Sequence, residues 1–311
     1  MVNPSISLGE SVIKGTKQYK SVHVLLKPLE IPGHELDRPR CVVCVANGFK
    51  GPYIAGFLKT HFKDFFLKAC EDLGFTDSEA DDEVADYRPV LERTMGLLNA
   101  KVEGSSKSLV QGASFTVILQ AGEKVFVGNI GDSKVFAVTK SECFVVDEGH
   151  TPFNDDENHR LYELGLNVQM KMTKRKNSLC GSVETVIDDI DDGEITLTRV
   201  IGAKEFRKNQ RDGAVVDDVD YHNLDRNVGT KDELRGLIVA TRHMWEPKGA
   251  KLSAAEMFEA HNIGRMTYKK SKGTGLANHL AQLLTDGAYG KIAQKSKNCD
   301  SLGCGIMLWK D

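Results

Sequence analysis

Residues 112–138 run GASFTVILQAGEKVFVGNIGDSKVFAV. Apolar side chains alternate along Phe115–Leu119 and again along Val125–Val127, the two-residue period of a half-buried strand. Ala121-Gly122-Glu123 and Gly131-Asp132-Ser133 break the stretch into three strand-like runs. A meander buried on one face needs a second sheet or a layer of helices against it.

The flanks offer both. Strands are expected at Ile6–Gly9, Ser21–Leu26, Val42–Ala46, Phe144–Val146, Ile195–Val200, Leu237–Ala240 and Cys304–Trp309, with Pro28, Pro32 and Pro39 marking a loop after the second. Pro52 opens a helix that carries Ala55, Leu58, Phe62, Phe65, Phe66 and Ala69 at helical spacing and stops at Gly74. A second amphipathic helix is expected over Asp81–Val102, kinked or divided at Pro89, with the acidic stretch Asp77–Glu83 suiting its N-terminus. His150-Thr151-Pro152 forms a turn before a helix over Asn154–Leu164.

Residues 166–195 alternate poorly and contain Asp188, Asp189, Asp191 and Asp192, which marks them as a solvated loop. Gly202–Gly213 is basic and polar. Further helices are expected at Ala254–Glu259 and Gly275–Gly287. Lys269, Lys270 and Lys272 lie between them in a Gly-containing loop that lacks the G-x-x-x-x-G-K-[ST] pattern of a phosphate cradle. No internal repeat or low-complexity tract interrupts the chain, so one domain of mixed α and β is expected over residues 1–311.

Composition narrows the function classes. A formal net charge of −3 gives no electrostatic reason to expect nucleic acid or an anionic membrane as partner. No apolar run is long enough to span a bilayer, and Met1-Val2-Asn3-Pro4-Ser5 has neither the basic nor the apolar region of a secretory signal. Seven cysteines, an odd number, point to free thiols in a reducing compartment, so an intracellular, cytoplasmic protein is expected. Cys41-Val42-Val43-Cys44 is formally a C-x-x-C, but positions three apart in a strand point to opposite faces, so the pair is read as packing.

The motifs, taken in order, resemble those of the PPM-type (type 2C) metal-dependent Ser/Thr protein phosphatases. Gly112-Ala113-Ser114 and Gly128-Asn129-Ile130-Gly131-Asp132-Ser133-Lys134 are similar to that family's Gly-Ser-Thr strand and "anVGDSR" hairpin. Gly15–Val22 resembles its opening "G-x-R-x-x-M-E-D", Asn47–Gly51 its "DGHGG", and Gly149–Pro152 its "DHKP" turn. Leu197–Ala203, Val239–Glu246 and Asp300–Met307 resemble "L-x-V-S-R-x-x-G-D", "LASDGLWD" and "DNITVIVV". The resemblance implies an α+β, four-layer αββα sandwich: two central antiparallel sheets flanked by helices.

It also implies a reaction centre, and there the chain departs. The family's chemistry uses two Mn or Mg ions that activate a water, and such hard cations need several carboxylate oxygens. The positions that supply them correspond here to Ser21-Val22, Asn47, Arg242 and Asp300, of which only Asp300 keeps a charge, while Gly48 keeps its carbonyl. Asn47 stands for the bridging carboxylate and Arg242 puts a permanent cation where a ligand should be. Two unit charges about 4 Å apart interact by roughly 4 kcal/mol at an effective dielectric near 20, and exchanging attraction for repulsion against a divalent ion costs several times that. Phe49 replaces the general-acid His, and Lys17 replaces the phosphate-gripping Arg without its bidentate fork.

The expectation is therefore a catalytically inactive pseudophosphatase that serves as a protein-interaction scaffold, docking a kinase, a phosphatase or a larger complex and needing no cofactor. Lys17, Lys50, Arg242 and His243 would face one concavity able to hold a phosphate or a phosphate-bearing ligand, or Arg242 would pair with Asp300 and close it. The competing expectation is an active Mn- or Mg-dependent phosphatase with a rewired site built on Asp132 and Asp300.

Overall fold

A computed structural model of the chain describes residues 6–14, 22–28, 40–75, 86–152, 154–166, 168–173, 182–187, 197–208, 213–245, 259, 275–293 and 301–309. In chain order its elements are β1 (Ile6–Ile13), β2 (Val22–Pro28), β3 (Arg40–Phe49), α1 (Tyr53–Asp72), α2 (Arg88–Glu103), β4 (Gly112–Ala121), β5 (Lys124–Ile130), β6 (Lys134–Thr139) and β7 (Cys143–Asp147). There follow α3 (Asp155–Glu163), β8 (Val168–Thr173), β9 (Ser182–Ile187), β10 (Ile201–Gly202), α4 (Lys204–Lys208), β11 (Asp220–Asp225), β12 (Leu234–Ala240), α5 (Arg242–Trp245), α6 (Leu276–Ala293) and β13 (Leu302–Trp309).

The three runs of residues 112–138 do become strands, but they do not form one meander. β4 and β5 pair in a six-stranded sheet ordered β11-β5-β4-β3-β2, with β10 added beside β4. β6 belongs to a second sheet ordered β1-β13-β12-β6-β7, so the Gly131-Asp132-Ser133 turn carries the chain from one sheet to the other. β4 is buried along its whole length, on both faces rather than one. Phe115, Val117 and Leu119 pack with Phe62, Phe66 and Leu98 of α1 and α2, while Ile118 points the other way, to Val239 and Met307 of the opposing sheet. On the far side Ile238, Ile306 and Leu308 meet Ala277, Leu280 and Leu284 of α6. Helices, sheet, sheet and helix thus stack as the expected αββα layers, held by apolar burial of about 1.5–3 kcal/mol per fully buried large side chain. Among the described residues no helix is long and apolar enough to cross a membrane.

The strand geometry decides the C-x-x-C reading. Cys44 faces the helices and Cys41 the other sheet. Burial pushes the Cys41 thiol up to about 12 and the Cys44 thiol well above its ordinary value. Both are protonated packing residues.

Several local expectations are corrected. Pro89 does not kink a helix: α2 starts at Arg88 with proline in its first turn, where no N–H is needed, and Asp86 accepts from the Arg88 N–H at 2.9 Å. Residues 168–173 and 182–187 are an antiparallel pair rather than loop. Val168, Met170 and Met172 do alternate with polar neighbours, and the aspartates that suggested a loop lie beyond β9. Of the strand expected at Ile195–Val200, residues 197–200 are described and carry only a bridge at Arg199, because Thr198 and Val200 donate to His150 and Val216 instead of to a continuous ladder. β11 was not foreseen; it is a half-exposed edge strand without an apolar face. The helix expected at Ala254–Glu259, apart from Glu259, and the loop lysines 269, 270 and 272 lie outside the described residues.

Candidate functional site

Strand register gathers the motif residues at one end of the sandwich. Val22 pairs with Asn47, Asn47 with Ser114, and Gly48 with Ala113 across β2, β3 and β4. Ser114 donates to Asp132 Oδ1 at 2.6 Å and accepts from the Asp132 N–H at 3.3 Å, tying the crossing turn to β4. Gly131 sits there at φ 100°, and a Cβ on it would lie 2.3 Å from Ser114 Oγ, so both backbone hand and space demand glycine. From the second sheet, Ala240 pairs with Lys134 and Cys304, and Thr241 exchanges hydrogen bonds with Gly303 at 3.1 Å in both directions. Gly303 is pressed on Val22: a Cβ there would stand 2.5 Å from a Val22 methyl. The ends of β3 and β12 are in this way locked side by side.

The described side chains at this end are mostly uncharged or cationic. Val22 is fully buried and apolar, Asn47 is a neutral amide 9% exposed, and Arg242, 8% exposed at the start of α5, is engaged within the protein. Asp132 is the buried carboxylate here, and one of its oxygens is already committed to Ser114. Among the described residues no three His, Cys, Asp or Glu side chains stand together closely enough to hold a metal ion. An amide, a carbonyl, a guanidinium and one hydrogen-bonded carboxylate do not fit Mn or Mg, which require several oxygen ligands of net negative charge. Lys17 and Asp300 lie outside the described residues, as does the side chain of His243, whose backbone is in α5.

Phe49 and Lys50 have become part of a packing device. The Phe49 ring lies 4.9 Å from that of Phe206 and rests on a cluster that includes Leu161, Leu197 and Val200. Lys50, at φ 54°, lays its ammonium over both rings, 5.4 and 5.0 Å from their centres. On the other sheet the Lys134 ammonium sits 4.3 Å from the Trp245 ring and pairs with Glu148.

Behind the crossing turn lies a polar network that sequence reading missed. Asn129 accepts from Thr116 at 2.6 Å and donates to Asp147 at 2.7 Å and to the Ser133 carbonyl at 3.1 Å. Asp147 also accepts from Gly149 N and from His222 Nε2, both at 2.8 Å. His150 takes the Gly131 N–H on Nδ1 at 3.0 Å and donates from Nε2 to Asp220 at 2.8 Å. Arg199 then bridges Asp220 and Glu157 at 2.7 Å each, and Arg160 closes on Glu157 at 2.8 Å.

The charges follow from these contacts. The His150 hydrogen bond, with the Arg199 charge beside it, draws Asp220 down to about 2. Burial alone would raise Asp147 and Glu157, but His222 and His150 hold the first below the usual carboxylate range, and Arg160 and Arg199 the second. The Asp147 hydrogen bond raises His222. Asn129, His150 and Arg199 lie within motifs legible in the sequence; Asp220 and His222 came from β11, which carries no strand pattern.

Comparison with known proteins agrees with this architecture. A family model for protein phosphatase 2C matches residues 10–252. Among solved structures, the chain is similar to a serine-threonine phosphatase 2C from Toxoplasma gondii, with TM-score 0.70 and 15% identity over 99% of this chain and 97% of that one. It is similar also to a second phosphatase from that organism, with TM-score 0.62 and 13% identity over 99% and 94% of the two chains. A C. elegans sex-determining protein gives TM-score 0.66 and 14% identity over 97% of this chain, which spans 64% of that protein's chain. A search of curated proteins finds no match. The ordered motifs, the two antiparallel sheets between helices and the family model lead to one assignment: this chain belongs to the protein phosphatase 2C family.

Proposed function

We propose that this protein is a catalytically inactive member of its family, a single phosphatase-fold domain that works by binding other proteins. The observation that carries the reading is the pair of residues at the locked strand ends: Asn47 on β3 and Arg242 after β12 stand where carboxylate ligands would be needed. The environment supports replacement rather than simple loss. Phe49 is packed against Phe206, and Asp132 is bonded to Ser114, so both positions serve the fold. No step of metal-assisted hydrolysis is derived for such a set. Turnover of a phosphopeptide by the purified protein at millimolar Mn tests this: none is expected, and turnover abolished by Asp300→Ala would establish the rewired-enzyme alternative.

A second reading concerns the same end. Arg242, 8% exposed and engaged within the protein, brings a cation to this end, where a bound phosphate would add to its contacts or Asp300 would close the site. Titration with inorganic phosphate separates the two: saturable binding lost in Arg242→Ala supports an anion pocket, and no binding supports closure by the ion pair.

A further inference from the structure

On the outer helical layer, the N-terminal turn of α1 and the C-terminal end of α2 border a half-open cavity of about 210 Å³. Tyr53, Ile54 and Phe57 form one wall, and Ala100, Val102 and Ser105 the other. A drug-sized ligand needs about 300 Å³ or more, so this volume suits one anchoring side chain. Its surroundings are apolar beyond the usual: Tyr53 is 47% exposed, and Leu109 and Val110 beside it are 44% and 50% exposed. These belong to one patch, since the Tyr53 N–H donates to Gln111 Oε1 at 3.0 Å, immediately after Val110 in the chain. Exposed neighbouring apolar groups around a cavity mark an interaction surface more often than isolated ones do.

The charge around the patch selects the partner. Lys101 lines the cavity and is exposed, and Lys107 is exposed on the 3-10 turn Ser106–Leu109. Glu103, the carboxylate between them, is neutralised by Arg207. α1 has no acidic residue in its first turn, and the side chain that caps its Tyr53 N–H is the neutral amide of Gln111, so its positive end adds to the same sign. We infer that this cavity docks an acidic protein segment, one aromatic side chain seated between α1 and α2 and flanking carboxylates on Lys101 and Lys107. Buried aromatic anchors within a polar rim are how small surfaces gain affinity, and the charges add specificity and on-rate.

The inference rests on the proposed reading of the chain as an interaction protein, and its test is independent of metal and turnover. The probe is the blocked peptide Glu-Glu-Phe-Glu-Glu, titrated into the isotope-labelled full chain while amide shifts are followed. Saturable shifts confined to Tyr53–Phe57 and Ala100–Val110 are expected. Lys101→Glu should weaken them about tenfold, one attraction having become a repulsion. Ala100→Phe, which fills the cavity from an exposed position, should abolish them, with the dispersion of the same spectra as the check that both variants are folded. No shift at millimolar peptide, or equal shifts with Lys-Lys-Phe-Lys-Lys or Glu-Glu-Ala-Glu-Glu, would overturn the docking site and leave the inactive-scaffold reading standing. Peptide binding in a protein that also hydrolyses phosphopeptides would sink the scaffold reading and make the cavity a substrate dock.

Discussion

Two polar regions sit on either side of the Gly131-Asp132-Ser133 crossing, and they have opposite fates. Toward the strand ends, where a metal would need acids, the positions hold Val22, Asn47 and Arg242. Behind the turn, three carboxylates, Asp147, Glu157 and Asp220, are kept in contact with His150, His222, Arg160 and Arg199. The acids behind the turn hold chain to chain. They fasten α3, β7 and β11 around the turn, a role that needs no metal. The difference teaches that the fold around the turn is held without a metal ion, because the polar groups that support the turn are distinct from the residues at the strand ends.

The largest effect that would sharpen this contrast is expected at Glu157, 1% exposed between two guanidinium groups. Glu157→Gln leaves Arg160 and Arg199 without their shared counter-charge and should cost about 3–5 kcal/mol in urea unfolding. Asn47→Ala, at the other end, should cost no more than about 1.5 kcal/mol, the worth of an ordinary hydrogen bond. Equal losses would break the comparison.

Acid should act next, and on the network. Asp220 is depressed to about 2, and Asp147 and Glu157 are also lowered. Their contribution is therefore present above the unfolded carboxylate range near pH 4 and is lost as pH falls toward 2. Urea midpoints measured from pH 6 to pH 2 should drop over that window, and Asp220→Asn should flatten the drop.

At the basic side the sign reverses. His222 is raised, so its stabilisation is full below about pH 6.5 and disappears as pH rises through its folded value. A proton titration of the His222 ring should give a midpoint above 6.5, and His222→Gln should remove the pH dependence of stability there. The smallest effect is expected at Lys134, where alanine forfeits the contact with Trp245 and should cost about 0.5–1 kcal/mol in the same unfolding assay.

The layered fold was legible because its signals are local: two-residue alternation in Phe115–Leu119, helical spacing in Leu58–Ala69, and glycine at the turn. Where packing is not local, the sequence was silent or misleading. It did not show that β6 leaves the sheet of β5, because a crossing turn and a hairpin turn share the same residues. β11 escaped notice because an edge strand facing ions needs no apolar side, and its Asp220 and His222 are paired to residues far away in the chain. At the strand ends the substituted residues could be named from motif order, but Phe49's attachment to Phe206 joins positions that no short pattern connects.

The most direct test of the central claim is calorimetric titration of Mn into the purified wild-type protein, with phosphopeptide turnover followed on the same sample. The account predicts no saturable heat and no turnover at millimolar metal, since Asn47 and Arg242 cannot supply the charge a divalent ion requires. Saturable binding accompanied by turnover would contradict it and would place the protein among the active phosphatases of its family.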